Sequence, residues 1–286
     1  MLAGLLLLGM LGSCQNEDAL VPQPSVTPSG QGNNAKTSAL VPSLTEDGDY
    51  KLKYITSGRY QGRLSHVIEP TGHTLYYGYS DGSDGDLWIT AKRQSNTSGA
   101  YTSQVSYHVV NGRCIKSTDI TNNKTYTYQY NETGRLDKIS LDGSSDKREF
   151  TYTYNSTTQT ERLTKITYSN SSGKYKEVSF SYVGGAGAGS GAAQVDKYFL
   201  NPEHTELDKY QPLFGKLSDV LVRQVTVTPF PYNGQLIPYY TFEYFFNANG
   251  YVTSRWRQNY PFGYGNLTGM TTNIFALKYG YPGQGI

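Results

Sequence analysis

The sequence predicts an all-β domain, an antiparallel meander of hairpins forming a curved sheet or barrel, on three observations. Tyrosine dominates the rings, with 27 residues against 10 Phe and 2 Trp, and it suits half-buried strands, where the ring packs and the hydroxyl stays wet. From Tyr50 onward, short alternating runs are separated by Gly, Asn, Asp and Ser; no stretch holds an apolar 3.6 period over a helix length. In the clearest runs aromatics take every second position and Thr or Gln the others, which gives one ring face and one polar face. The 286 residues suffice for one large domain. A formal net charge of +2 gives no electrostatic reason to expect nucleic acid as a partner.

Leu2 to Leu11 is an apolar run ending in Leu11-Gly12-Ser13-Cys14. About ten apolar residues are too few to span a bilayer core as a helix and match the h-region of a signal peptide. With small residues directly before the cysteine, the segment resembles a bacterial lipoprotein signal. That resemblance implies a signal peptide over residues 1–14 and a lipidated Cys14, with the outer membrane as partner. Gln15-Asn16-Glu17-Asp18 resembles the acidic export signal of surface lipoproteins of the Bacteroidota, implying the outer face of that membrane; a periplasm-facing anchor is the alternative. Residues 15–49 are expected to be a disordered tether, rich in Pro, Ser, Gln and Asn and almost without rings. With Cys14 acylated, Cys114 has no partner for an intramolecular disulfide. Its setting, Arg113-Cys114-Ile115-Lys116, reads as a small buried hydrophobe in a strand.

The β domain is expected over residues 50–286. Its strands include Lys124 to Tyr130, Glu149-Phe150-Thr151-Tyr152-Thr153-Tyr154, Val178-Ser179-Phe180-Ser181-Tyr182 and the more hydrophobic Tyr240 to Phe246. Aromatic strands run into a turn and a second strand with a recurring signature. Tyr130-Asn131-Glu132-Thr133-Gly134-Arg135-Leu136-Asp137-Lys138-Ile139 is the fullest copy, and Tyr154-Asn155 leading to Arg162-Leu163-Thr164-Lys165-Ile166 is a longer-looped one. Partial copies begin at Gly62, Asn111 and Phe246. Asn and Gly supply the positive φ that hairpin turns require, so each copy predicts one hairpin. Leu and Ile stand three apart and would face opposite ways on a regular strand, which predicts a bulge near the turn or a Leu tucked under the loop.

These repeats resemble the tyrosine-and-aspartate repeats of bacterial Rhs-type shell proteins, whose unit is an aromatic strand, an Asp or Asn turn and Gly-Arg-Leu. They are also similar to β-rich lipoproteins of the Bacteroidota described as porin-like in fold. The resemblance covers residues 50–182 and 240–258. It departs from the Rhs pattern in its Asn turns, irregular spacing and lack of a long array. Between the blocks lie a glycine-rich loop, 184–193, read as a mobile surface loop, and an irregular insertion, 194–220, with room for a short helical turn. Alternation resumes at Val222 to Thr228.

No zincin, nucleophile-elbow, Walker or paired-Cys motif is present, and His66, His73, His108 and His204 share no metal-ligand spacing. A non-catalytic protein without cofactor is expected. Carboxylate pairs for glycoside hydrolysis meet in space and not in sequence, so an unrecognised hydrolase stays as an alternative. Asp81-Gly82-Ser83-Asp84-Gly85-Asp86 reads as a hairpin turn, with calcium on Asp81, Asp84 and Asp86 as the other reading, although its glycine stands early and no Glu follows. Flat rings with polar edges stack on sugars. The loop-like, non-alternating stretch from Arg255 to Tyr264 offers Trp256, Tyr260, Phe262 and Tyr264, with Trp88 as an outlier, as candidate contacts for an extracellular glycan or protein. A structural envelope component without ligand is the alternative. Whether the tyrosine ladders face a core or solvent decides how far the binding surface extends.

Overall fold

The computed structural model describes residues 42–157, 159–182, 202–234 and 236–281. Cys14, the tether up to residue 41 and the glycine-rich loop lie outside the described residues. Sixteen strands follow one another. They are β1 Ser43–Asp47, β2 Tyr50–Tyr54, β3 Leu64–Glu69, β4 His73–Asp81, β5 Leu87–Ser95, β6 Tyr101–Val110, β7 Arg113–Asp119 and β8 Lys124–Tyr130. Then come β9 Leu136–Leu141, β10 Lys147–Asn155, β11 Thr160–Asn170, β12 Gly173–Ser181, β13 Gln224–Pro229, β14 Tyr239–Phe246, β15 Val252–Tyr260 and β16 Thr271–Gly280. Each pairs with its neighbours in sequence, and β1 pairs antiparallel with β16, so the meander closes into a barrel.

The sheet therefore begins before Tyr50. Residues 43–49, expected in the tether, form β1 and its turn, and without β1 the wall would open between β2 and β16. A five-residue strand shows too little alternation to be legible; what holds it is Leu44, 2% exposed, and Asp47, fully buried. Among the described residues the helical turn is a single 3-10 turn, Ser83–Gly85, in the β4–β5 connection and not in the insertion. Arg255 to Tyr260, expected to be loop-like, belongs to regular β15.

The repeat signature has a physical meaning. Where each Leu-x-x-Ile motif begins, the pairing slips by one residue: Tyr130 faces Leu136 while Gln129 faces Lys138, leaving Asp137 as the extra residue. The same bulge stands at Ser65, Ile115, Thr164 and Thr253. It turns both motif positions inward, so that Leu64 and Val67, Leu136 and Ile139, and Leu163 and Ile166 are all buried. A tyrosine near the end of the following strand then donates its hydroxyl to the carbonyl of the motif leucine. Tyr79 bonds Leu64 O, Tyr152 bonds Leu136 O and Tyr182 bonds Leu163 O, each at 2.7 Å, and Tyr130 bonds Cys114 O in the same way. The arginine before the leucine lies over that tyrosine ring: Arg63 over Tyr79 at 5.4 Å, Arg113 over Tyr130 at 5.5 Å, Arg135 over Tyr152 at 5.8 Å and Arg162 over Tyr182 at 5.5 Å. Each unit thus adds a hydrogen bond and a cation–π contact to its ring burial, each of order 1 kcal/mol. Gly134 is favoured by its positive φ of +78, and a side chain there would also displace the Arg113 guanidinium from its place beside the turn.

The ring faces of the ladders point inward. Tyr128, Phe150, Phe180, Phe242 and Tyr244 join or pack on the core. The outward positions of β5 to β13 alternate with them and are mainly Thr, Ser, Lys, Gln and Glu, including Thr90, Lys92, Lys116, Thr127, Lys138, Thr167, Glu177 and Thr226. This wall is the reverse of a lipid-facing one, which needs apolar side chains outside.

Candidate functional site

The insertion returns to the inside of the barrel. Residues 202–222 touch the inner wall all round: Glu203 meets Arg257 of β15, Tyr77 of β4 bonds Asp208, Lys209 pairs with Asp47 of β1, and the Cys114 amide of β7 bonds Leu213 O. Leu213, Phe214 and Leu217 are 5%, 1% and 0% exposed, and Phe214 packs its ring 6.1 Å from that of Tyr107 and 5.5 Å from that of Tyr128. Residues 202–222 form a plug, which explains why the inward rings need no second sheet. Gly215, at φ +72, turns the plug where a Cβ would come within 2.9 Å of Gly134 O.

The plug carries charge to charge. Arg255, 2% exposed, binds Asp47 at 3.3 Å and Glu203 at 3.1 Å, and the Tyr210 hydroxyl donates to Asp47 at 3.1 Å. Burial alone would raise the Asp47 carboxyl, but Lys209 and Arg255 outweigh it and hold the group below the ordinary carboxylate range. Arg135 bridges Glu161 and Asp219, and Glu206 receives Arg148 at 3.0 Å and also Lys176. A cavity of about 320 Å³ remains between the plug at Leu207 and Asp208 and the wall at Leu75, Ala91, Val105 and Tyr107. Of its two carboxylates, Glu206 pairs with Arg148 and Lys176, and Asp208 is engaged by the Tyr77 hydroxyl at 2.9 Å and the Tyr210 amide at 3.0 Å. For Asp208, burial raises the pKa. Cys114 behaves as the sequence suggested: it is 0% exposed, and burial pushes its thiol up to about 12.

The expected ring contacts divide between two places on the outer surface. Trp256 points outward from β15, paired in register with Glu243 of β14 and Ile274 of β16, and its ring lies 5.0 Å from that of Phe245. Two positions on, Gln258 forms a polar row with Thr241 and Thr272; Thr241 donates to its Oε1 at 3.0 Å and the Tyr260 hydroxyl donates to it at 3.1 Å. Two further on, Tyr260 joins Tyr239 and Tyr264 in a cluster with ring separations of 4.9 to 6.3 Å. Tyr260 is buried beneath this cluster, whereas Tyr264 and Phe262 are 69% and 42% exposed. Sequence reasoning missed Tyr239, Phe245 and Ile274. The run Tyr244-Phe245-Phe246, which places rings on both faces, was the available signal.

Trp88 stands apart on β5, stacked on His108 at 4.3 Å with the rings 2° from parallel, while His108 Nε2 meets Asp86 at 2.6 Å. In the acidic loop beside it Asp81 binds Arg59 at 2.8 Å and Asp84 sits at φ +59. The loop therefore engages Asp81 with Arg59 and Asp86 with His108, and among the described residues no three His, Cys, Asp or Glu side chains converge as a metal site would require.

No protein-family model matches the chain. No curated protein matches it in sequence either. Among solved structures, a porin-like protein from Bacteroides uniformis aligns over 76% of this chain and 93% of its own, at 16% identity and a TM-score of 0.43. A chain of the Tc holotoxin pore of Photorhabdus luminescens aligns over 73% of this chain and 13% of its own, at 14% identity and a TM-score of 0.28. The closed barrel itself rests on the strand pairing described above.

Proposed function

We propose that the protein is a lipid-anchored domain at the outer face of the outer membrane that binds a glycan outside the cell, without catalysis, through the outward side of β14 to β16. The observation that carries this reading is the contrast on the outer wall. Most of it is Thr, Ser, Lys, Gln and Glu, whereas on these three strands Trp256, Phe245, Ile274 and the Tyr239–Tyr260–Tyr264 cluster stand together around a hydrogen-bonding row. Rings stack on sugar faces, and the amide and hydroxyls between them match sugar hydroxyls. Since the ladders face the lumen, the surface is confined to this face and the loop after it.

A glycan array probed with the full chain carrying Cys14→Ala is expected to give hits that Trp256→Ala weakens tenfold or more, about 1.4 kcal/mol. An empty array would reject glycan binding and favour an envelope component without a ligand. The anchor has its own test. In cells, Cys14→Ala is expected to release the protein from the membrane fraction, and protease added to intact cells is expected to cut the wild type. Retention of the variant would overturn lipidation, and protection from protease would turn the anchor to the periplasmic side.

A further inference from the structure

Resting on the glycan reading, the geometry points to a narrower ligand: we propose that the face binds a linear, non-anionic oligosaccharide laid along β15, held at both ends and so read by its length. Trp256, Gln258 and Tyr260 occupy successive outward positions of one strand, so the two ring groups stand about 13 Å apart at the usual strand rise. The Trp256 end is completed by Phe245 and Ile274, and the other end by Tyr239 and Tyr264. Between them, Thr241, Gln258 and Thr272 are adjacent in register. A single sugar ring can cover one group or the row, not both groups. A chain lying across all three gains the second group intramolecularly, without a second association step.

Charge narrows the class. Glu243 faces outward directly beside Trp256, exposed, with no ion pair or side-chain hydrogen bond among the described residues. The nearest outward cation on these strands, Lys278, is engaged by Glu46 at 2.8 Å. A carboxylate at the indole edge accepts hydrogen bonds from hydroxyls or an amino group and repels a uronic acid. An extended apolar partner would gain nothing from the polar row and would bury this carboxylate unpaired.

The test uses the full chain carrying Cys14→Ala and two oligosaccharide series of one to six units, a neutral one and a uronic-acid one of the same linkage, measured by calorimetry. Affinity for the neutral series is expected to rise about a hundredfold between one unit and the length that reaches both ring groups, then level off. Trp256→Ala and Tyr264→Ala are each expected to remove that rise, with Trp256→Phe restoring part of it and far-UV dichroism showing that the fold is kept. The uronic series is expected to bind only after Glu243→Gln. Affinity independent of length, but still sensitive to Trp256→Ala, would overturn the two-ended site and leave glycan binding standing. Equal binding of the uronic series by the wild type would overturn the charge assignment. No binding of either series, with no hit on the array, would remove the glycan reading itself.

Discussion

Replacing Asp47 by alanine is expected to cost about 3–5 kcal/mol, because it leaves two cations inside the barrel without their shared partner. Asp47 is fully buried, Arg255 is 2% exposed, and Lys209 reaches the same carboxylate from the plug. Glu203 still faces Arg255 in the variant, but it is already shared with Arg257. Urea unfolding followed by tyrosine fluorescence measures the loss. Glu46→Gln, one residue away on the outward side and paired with a well-exposed Lys278, is expected to change little. For the carboxyls held by cations the pH dependence has one sign. Burial opposes ionisation of Asp47, Glu203 and Asp219, yet the cations around them and, for Asp219, the Glu161 amide hold all three carboxyls below their ordinary range. Their contribution is therefore complete above the unfolded carboxylate range, about pH 4, and is lost as pH falls through the lower folded values. Wild type is expected to lose stability steeply below about pH 4 and Asp47→Ala less steeply. Parallel acid curves for the two would show that the cluster is not ionised as described.

What could be read in the sequence and what could not divide along a physical line. Hairpins, bulges and the aromatic faces were legible because they are local: Asn131 accepts the Arg135 amide at 2.9 Å across its own turn, and the Leu-x-x-Ile spacing demands an extra residue whatever the fold around it. Closure was not legible, because it depends on pairing β1 with β16, separated by more than two hundred residues and carried by a strand of only five. The plug was hidden for a related reason. Its residues follow no period, since they fit a lumen and not a sheet face, and the prolines and acidic residues there read only as an irregular interruption of the sheet. Arg255 shows the same limit. It occupies the motif position that Ile139 and Ile166 hold in the full copies, and its inward charge becomes intelligible only once Asp47 and Glu203 are seen facing it. For the candidate site, Trp256, Tyr260, Phe262 and Tyr264 were named from the concentration of rings between Arg255 and Tyr264. Phe245, Tyr239 and Ile274 required cross-strand register, which one sequence does not print.

Phe214→Ala is expected to cost about 3–5 kcal/mol, the range for removing a buried phenylalanine and leaving its cavity. At an exposed position the same substitution would cost within about 0.5 kcal/mol, so a packed and an exposed insertion differ by several kcal/mol at this residue. The larger value follows from where the ring sits: it is 1% exposed, between Tyr107 and Tyr128, with Leu213 and Leu217 buried beside it. These neighbours cannot close the space cheaply. The Tyr128 hydroxyl is tied to Ser117 at 2.8 Å and Tyr107 is fixed in β6 by pairs on both sides, so collapse would break hydrogen bonds to regain ring contacts. Phe214→Leu, which keeps most of the volume, is expected to lie well below Phe214→Ala. At about 2–4 °C per kcal/mol for a domain of this size, the alanine variant should melt roughly 6–20 °C below wild type. Hydrogen exchange separates a local from a global effect: loosening of the plug alone would release the Cys114 amide, bonded to Leu213 O, and leave the β10–β11 ladder protected. Because the plug supplies partners to groups on β1, β4, β7, β11 and β15, its packing and that of the wall are expected to fail together, with both sets of amides exchanging at one free energy.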